Sequence, residues 1–369
     1  TAQSMTEPEG MVAPTTEHAP VAPPGDWQHM RLPPHSDGVL KRRYAHARDC
    51  RIVFYEKPHV YTVDGVTVKT SVTSLIKPFV QEFDGPGVAR DMREDHARWP
   101  NPKYLRDEDR LRSVQRLLQD AAPSCAVAFR GALVDRERLC ESLRSTGGEA
   151  HGLLEDLEVC MSTEEILRAW ERTRVDACHR GTYLHHMIER HMNGLSVHPQ
   201  YVNAPEFRQY LAFRASLPAT LVPYRTEWEI FDDHARQRIA GSLDCCMLDT
   251  DTGNVTILDW KRTKSLSFSH FGRVCSGKLA HLYDSRGVKY ALQLNVYRRL
   301  LENFYGLVVD RCVLVALHPS RESFQALEVE HLPEEAAFLM AASREGRKAA
   351  RCVERNSPGE DAAACAEDE

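Results

Sequence analysis

Two carboxylates and a lysine stand at the ends of apolar runs where a core strand would carry hydrophobic residues. Ile239 to Leu248 and Val255 to Trp260 flank Asp249-Thr-Asp-Thr-Gly-Asn254, whose Gly, Asn and Asp supply a turn, so the pair reads as a β-hairpin. Strand side chains alternate between faces, which sets Asp259 and Lys261 on one side and Trp260 on the other. The neighbouring strand can bring Asp244 to the same spot. Two carboxylates and an ammonium are what a divalent metal and an attacked phosphodiester need: the metal neutralises charge and acidifies a bound water, and the lysine orients that water or stabilises the charged transition state. An Asp-X-Lys triplet is also what a solvated strand edge carries. Here it closes an apolar run and follows Gly241-Ser-Leu-Asp244 by one hairpin.

Other residues must be positioned around that hairpin. Ser162-Thr-Glu-Glu165 is a capping box opening a long helix that runs to Met192, with Gly181 as a candidate break and Asn193-Gly194 as the stop. His185 and Glu189 are four apart and so share a face; His185 is a candidate nitrogen ligand, with Glu189 receiving its other ring N–H. A helical histidine is by default a surface or core residue, and His186 and His191 read that way. A strand from Tyr224 to Phe231 places Glu227 and Glu229 on one face, with an ion pair to Arg236 or Arg238 as the alternative account of either. After Lys261, the segment 262–289 holds Arg262, Lys264, Arg273, Lys278, Arg286 and Lys289 against Asp284, interleaved with Phe268, Phe271, Tyr283 and two histidines. That mixture suits a polyanion whose bases can stack. If the strand persists past Lys261, the hydroxyl of Thr263 shares its face. The helix from Val288 to Asn303 carries Gln293 and Tyr297 on one side, where packing of Tyr297 on the sheet is the alternative role.

Gly181-Thr-Tyr-Leu-His-His-Met-Ile-Glu189, Gly241-Ser-Leu-Asp244, Leu258-Asp-Trp-Lys261 and Gln293-Leu-Asn-Val-Tyr297, in this order, resemble the motifs of the PD-(D/E)xK nuclease superfamily, in its RecB-like exonuclease branch with the mitochondrial and phage exonucleases. The resemblance covers roughly residues 52 to 330. It implies an α/β fold with a restriction-endonuclease-like core, a mixed central sheet flanked by helices and a helical insertion. It implies hydrolysis of phosphodiesters in DNA, single-stranded or at ends, as an exonuclease of DNA processing, repair or recombination, with one or two Mg²⁺ or Mn²⁺ ions. His185, Asp244, Asp259 and the backbone carbonyl of Trp260 would hold metal. Lys261 would position the attacking water, with Glu227, Gln293 and Tyr297 in support, and Arg262, Thr263, Lys264, Arg273 and Lys278 would meet substrate. A structure-specific or sequence-specific endonuclease, and an inactive nuclease-fold module that only binds nucleic acid, are the rival readings. Some members of the branch carry an iron–sulfur cluster on a tight group of cysteines after the Gln-Tyr motif; here only Cys312, Cys352 and Cys365 follow, far apart, so no cluster is expected.

The rest of the chain is consistent with one large domain. A length of 369 residues with 42% hydrophobic and 27% charged content is ordinary for a soluble globular protein. No apolar run approaches the roughly 20 residues that span a bilayer, and no cleavable signal is visible. A soluble intracellular protein with no membrane partner is expected, with nucleus, mitochondrion and cytoplasm undistinguished. The eleven cysteines contain no C-x-x-C pair, so neither zinc spacing nor a secreted disulfide framework is present. Net charge is −6, and five acids lie in the last ten residues. Residues 1–38 hold seven prolines and read as a disordered leader, 39–350 as a single domain with a helical insertion at 84–160, and 351–369 as an acidic disordered tail. Leu40 to Arg48 reads as a solvated basic run, Arg51 to Thr70 as two strands around Asp64-Gly65, and 71–80 as a helix capped by Ser71. In the insertion, helices are expected at Val88–Arg98, Tyr104–Leu118 and Asp135–Leu143. A helix over 205–216, closing strands at 311–317 and 324–329, and a C-terminal helix over 334–350 complete the reading.

Overall fold

The computed structural model describes residues 38–95, 98–121, 135–145, 158–234, 238–269 and 272–345; the expected leader and tail lie outside these residues. In chain order the helices are α1 Val39–Arg43, α2 Val72–Ile76, α3 Gly85–Glu94, α4 Glu108–Ala121, α5 Arg136–Ser145, α6 Thr163–Met192, α7 Pro199–Val202, α8 Pro205–Ser216, α9 Arg286–Phe304 and α10 Pro333–Glu345. The strands are β1 Ile52–Tyr55, β2 Val60–Val63, β3 Val66–Val68, β4 Thr70–Ser71, β5 Leu221–Phe231, β6 Ile239–Asp249, β7 Val255–Lys261, β8 Val309–Ala316 and β9 Gln325–Glu328. The fold is mixed α/β. A small antiparallel sheet, β1-β2-β3, stands beside a six-stranded mixed sheet in which β4, β6, β7, β8 and β9 follow one another and β5 pairs with β6.

The hairpin β6–β7 is the spine of the large sheet. Along one edge β6 pairs with β5 over almost its whole length, from Leu221↔Asp249 to Phe231↔Ala240. Its other edge takes β4 only at Ile239 and Ala240, and β7 only from Cys245 to Leu248. Among the described residues, no strand lies beside residues 241–244 of that edge, and this opening is where the acidic residues gather. β7 runs parallel to β8 from Val255↔Val309 to Lys261↔Ala316.

Two apolar layers enclose the sheet. On one face Val72, Leu75 and Ile76 of α2 join Leu292, Leu294, Tyr297 and Leu300 of α9 and Leu339 of α10 against Ile257 and Leu314. On the other, Leu184, Met187 and Ile188 of α6 and Tyr210 and Phe213 of α8 pack on Cys245, Leu258 and Trp260. Burial at roughly 25 cal/mol per Å² of apolar surface drives both layers. Gly241 lets one of them close: a Cβ there would lie 2.7 Å from Tyr297 Cε1 and 2.9 Å from a Val72 methyl. Asn193, at the C-terminal end of α6, ties three elements together, accepting from the Leu40 N–H at 3.0 Å and donating to Thr226 Oγ1 at 2.9 Å.

Several expectations are corrected. Arg51 to Thr70 forms three paired strands and a short fourth instead of two, because the Lys57-Pro58 turn separates β1 from β2 while Asp64-Gly65 turns β2 into β3. The helix capped by Ser71, which accepts from Ser74 N–H at 3.2 Å, ends at Ile76 and tightens into a 3₁₀ turn at Lys77–Phe79 around Pro78. α6 continues unbroken through Gly181, held by a complete capping box at Ser162 and Glu165. The basic run at Leu40 begins in α1 and buries Leu40, so it is only partly solvated. Among the described residues, no helix is long and apolar enough to cross a membrane.

Candidate active site

The open edge of β6 collects groups from α6, β5, β6 and β7. Trp260 is the anchor. Its indole is buried, edge-on to Tyr210 and Phe213 at 5.6 and 5.7 Å between ring centroids, so its main chain is fixed. The β6–β7 ladder stops at Cys245↔Leu258. Beyond it, the Trp260 N–H donates to Asp244 Oδ2 at 2.8 Å, a side chain taking the place of a ladder partner. Continuing the register sets Asp244 opposite Asp259 across the two strands.

His185 reaches the same point from α6. Leu184, Met187 and Ile188 fix the rotation of the helix in the core, and the imidazole Nε2 lies 2.9 Å from the Trp260 carbonyl oxygen. With Nε2–H donating to that carbonyl, Nδ1 carries the free lone pair of the neutral ring. Nδ1 lies 3.5 Å from Asp244 Oδ2 and 3.7 Å from Glu227 Oε1. His185, Glu227 and Asp244 thus present one ligand atom each, all within 4.8 Å of one another. Their side chains are 25%, 24% and 13% exposed, open enough for an ion to enter and sheltered enough to hold it.

Glu227 pays for its place with backbone geometry. It is a non-glycine residue at φ 41° inside a strand. The flanking pairs Thr226↔Cys245 and Trp228↔Leu243 are made while Glu227 itself is left out of the ladder. Such a conformation costs on the order of 1–3 kcal/mol and recurs at functional sites.

The electrostatics match the geometry. Burial pulls the His185 imidazole towards neutrality, but the Asp244 and Glu227 carboxylates outweigh it and push its pKa up to about 9. Burial also raises the Glu227 carboxyl, with Asp244 adding to the rise and His185 opposing it. Asp259 is pushed up to about 6 by burial and by Asp244, against the pull of Lys261. Carboxylates crowded in a low-dielectric pocket resist ionising together unless a cation joins them. Nitrogen and oxygen donors of this kind suit Mn²⁺ and Mg²⁺.

Lys261 and Asp259 form a second group beside the first. Lys261 Nζ lies 2.6 Å from Asp259 Oδ2 and 4.8 Å from the centre of the Tyr290 ring. Burial opposes its charge, yet Asp259 and Asp244 hold its pKa above the ordinary lysine value. Gln293 donates to the Tyr297 hydroxyl at 3.2 Å, and that hydroxyl faces the glycine edge of β6.

The arrangement differs from the expected ligand set at four points. Asp259 is engaged by Lys261 and lies outside the converging triad; Glu227 stands in that triad instead of behind it. The Trp260 carbonyl faces His185 Nε2. Glu189 turns to His186, whose Nδ1 is 3.6 Å from its carboxylate, and not to His185, because both residues are buried in the helix–sheet interface. Its charge still contributes to the raised pKa of Glu227. Glu229 stands 3.8 Å from Lys41. His191 packs structurally, with Nδ1 2.8 Å from the Tyr210 hydroxyl.

The expected substrate residues divide as well. β7 ends at Lys261, so Thr263 leaves the strand and its hydroxyl donates to Ser265 O at 3.0 Å. Arg262, Thr263, Lys264 and Arg273 line a cleft of about 680 Å³, although Arg262 is paired with Glu206 at 3.1 Å. Lys278 does not line it: the 3₁₀ turn Gly277–Leu279 buries Leu279 against α10 and carries Lys278 over the Phe338 ring, 5.4 Å from its centre. Phe271 lies outside the described residues.

No family model matches the chain, and no curated protein matches it. Solved structures that are similar in part include two that differ in extent of match. One, of SSO0001, is 19% identical over 37% of this chain, with a TM-score of 0.23, and the chain spans 54% of its length. The other, from Eubacterium rectale and described as a "Putative exonuclease", is 10% identical over 47% of this chain and 67% of its own, with a TM-score of 0.29.

Proposed function

We propose that this protein is a divalent-metal-dependent nuclease that hydrolyses phosphodiester bonds in DNA. The observation that carries the reading is the convergence of His185, Glu227 and Asp244 within 4.8 Å, next to a sheltered lysine. His185 Nδ1 and carboxylate oxygens of Glu227 and Asp244 would hold Mg²⁺ or Mn²⁺, which when bound supplies charge neutralisation at the phosphate and acidifies water.

The chain's own residues then have separable tasks. Trp260 fixes Asp244 and His185 through its peptide N–H and C=O. The Lys261 ammonium, kept protonated by Asp259, orients the attacking water or balances charge developing on the phosphate oxygens. In the step, the water oxygen forms a new bond to phosphorus while the bond from phosphorus to the leaving sugar oxygen breaks. The water's proton is released, the leaving oxygen takes one up, and the products are a phosphomonoester and a hydroxyl.

An exonuclease of DNA processing, repair or recombination, acting on single strands or ends, is the activity proposed. End-labelled single- and double-stranded DNA, incubated with and without Mg²⁺ beside Lys261→Ala, tests the reading. Wild type should shorten the labelled strand only with metal, and Lys261→Ala should lose about 10²–10³-fold in rate while still binding DNA. Metal-independent cleavage, or full activity in the variant, would overturn it. A closed circular substrate should resist; its opening would favour an endonuclease.

A further inference from the structure

The 680 Å³ cleft has two unlike walls. One is basic. Lys264, Arg273 and Arg286 are exposed on it and form no salt bridge among the described residues, Arg273 acting on Asp284 only at longer range, whereas Arg112 and Arg174, also exposed, are paired with Glu108 and Glu171. Arg286 also opens the 19-residue helix α9, whose N-terminal amides add to the positive potential. The single acid of the lining, Asp284, is occupied by Lys289 at 2.8 Å and by the Gln81 N–H at 2.8 Å.

The other wall carries Phe83, 69% exposed, the most exposed of the large hydrophobic residues described. It is not loosely held. Its ring rests 5.8 Å from that of Trp170 on α6, and the Trp170 indole N–H donates to the Tyr104 hydroxyl at 2.9 Å. The Gln81 amide bond to Asp284 fixes the segment just before it to the basic wall. Packing does not account for a phenyl ring buttressed from behind and left open towards a cationic surface.

The cleft shares one lining residue with a second cavity nearer Lys261. Lys289 lines both, the second being about 170 Å³ and formed with Tyr290, Gln293, Thr73 and Lys77. Tyr290 and Gln293 stand beside Lys261 and Tyr297 respectively.

We propose that the cleft seats one strand of nucleic acid, its phosphates along Lys264, Arg273 and Arg286 and a base stacked on Phe83, and that Phe83 sets the preference for single strand over duplex. Phosphates supply the sequence-independent attraction, and an exposed aromatic ring supplies a partner for any base face. Bases in a duplex are already stacked and cannot use it. The proposal deepens the nuclease reading and rests on it for the direction in which the strand runs.

Binding of a fluorescent thymidine oligonucleotide and of a blunt duplex to the full chain, by anisotropy in the presence of a chelator, reads the cleft without cleavage. Phe83→Ala should weaken single-strand binding about tenfold and leave duplex binding unchanged, and Phe83→Trp should restore it. Replacing Arg273 and Arg286 together by alanine should weaken both substrates and flatten the single-strand salt dependence by about 0.7 per charge removed. The proposal is overturned if Phe83→Ala binds single strand as tightly as wild type, if it weakens both substrates equally, or if the double arginine variant keeps the full salt slope. Phe83-dependent binding without metal-dependent cleavage would sink the nuclease reading and leave the cleft standing. Cleavage with Phe83-independent binding would do the reverse.

Discussion

At the scale of single residues, protonation and the proposed metal would compete for the same atoms. The His185 pKa is raised from 6.5 to about 9 in the folded protein, so its stabilising pairing is fully present below pH 6.5 and is lost as pH climbs through about 9. Asp259, raised from 3.8 to about 6, adds a loss of the same sign at lower pH. The metal-free protein should therefore melt at progressively lower temperature between pH 6.5 and 9, and saturating Mn²⁺ should remove that decline, since a cation replaces the proton. Calorimetry with chelator and with Mn²⁺ checks this; a flat metal-free profile would contradict it. Glu227 offers a separate test, because its side chain serves the site while its backbone bears strain. Glu227→Gly should keep or raise the melting temperature of the metal-free protein by relieving φ 41°, yet abolish Mn²⁺-induced stabilisation.

At the scale of elements, the site depends on contacts that hold β5 and α9 in place. Buried Arg225 pairs with the half-buried Asp49 at 2.8 Å, and the Trp228 indole N–H donates to the same carboxylate at 2.9 Å, fastening β5 to the segment after α1. Asp49→Ala would leave the guanidinium buried without its charge partner and should cost about 3–5 kcal/mol, measurable by urea denaturation. Gly241→Ala pushes a methyl into Tyr297 and should destabilise by about 1–3 kcal/mol. Its cleavage rate should fall further than its stability alone predicts, because the Gln293–Tyr297 pair shifts with α9. Cleavage unchanged in a folded Gly241→Ala protein would mean that Tyr297 only packs.

At the scale of the whole molecule, a net charge of −6 coexists with a basic cleft beside the acidic centre. A divalent ion that binds only the folded state stabilises by mass action, about 2.7 kcal/mol at a hundredfold excess over Kd. Mn²⁺ should raise the melting temperature of wild type and leave that of Asp244→Asn unchanged.

Much of this was legible in the residues before any coordinates. The hairpin, the capped helix carrying His185 and the helix carrying Gln293 and Tyr297 are local matters of period, turn chemistry and capping, which neighbours along the chain determine. Spacing also singled out Asp244, Asp259 and Lys261, because charged groups at the end of an apolar strand stand out against their surroundings, whereas His185 stood out through the resemblance of its motif. Which of those carboxylates meet was decided only in three dimensions. Glu227 joins His185 and Asp244 where β5 leaves the ladder, Asp259 pairs with Lys261, and Phe83 lines the same cleft as the basic residues from far along the chain. The first and last outcomes bring together elements remote in sequence, chosen by packing and charge balance that no local pattern records.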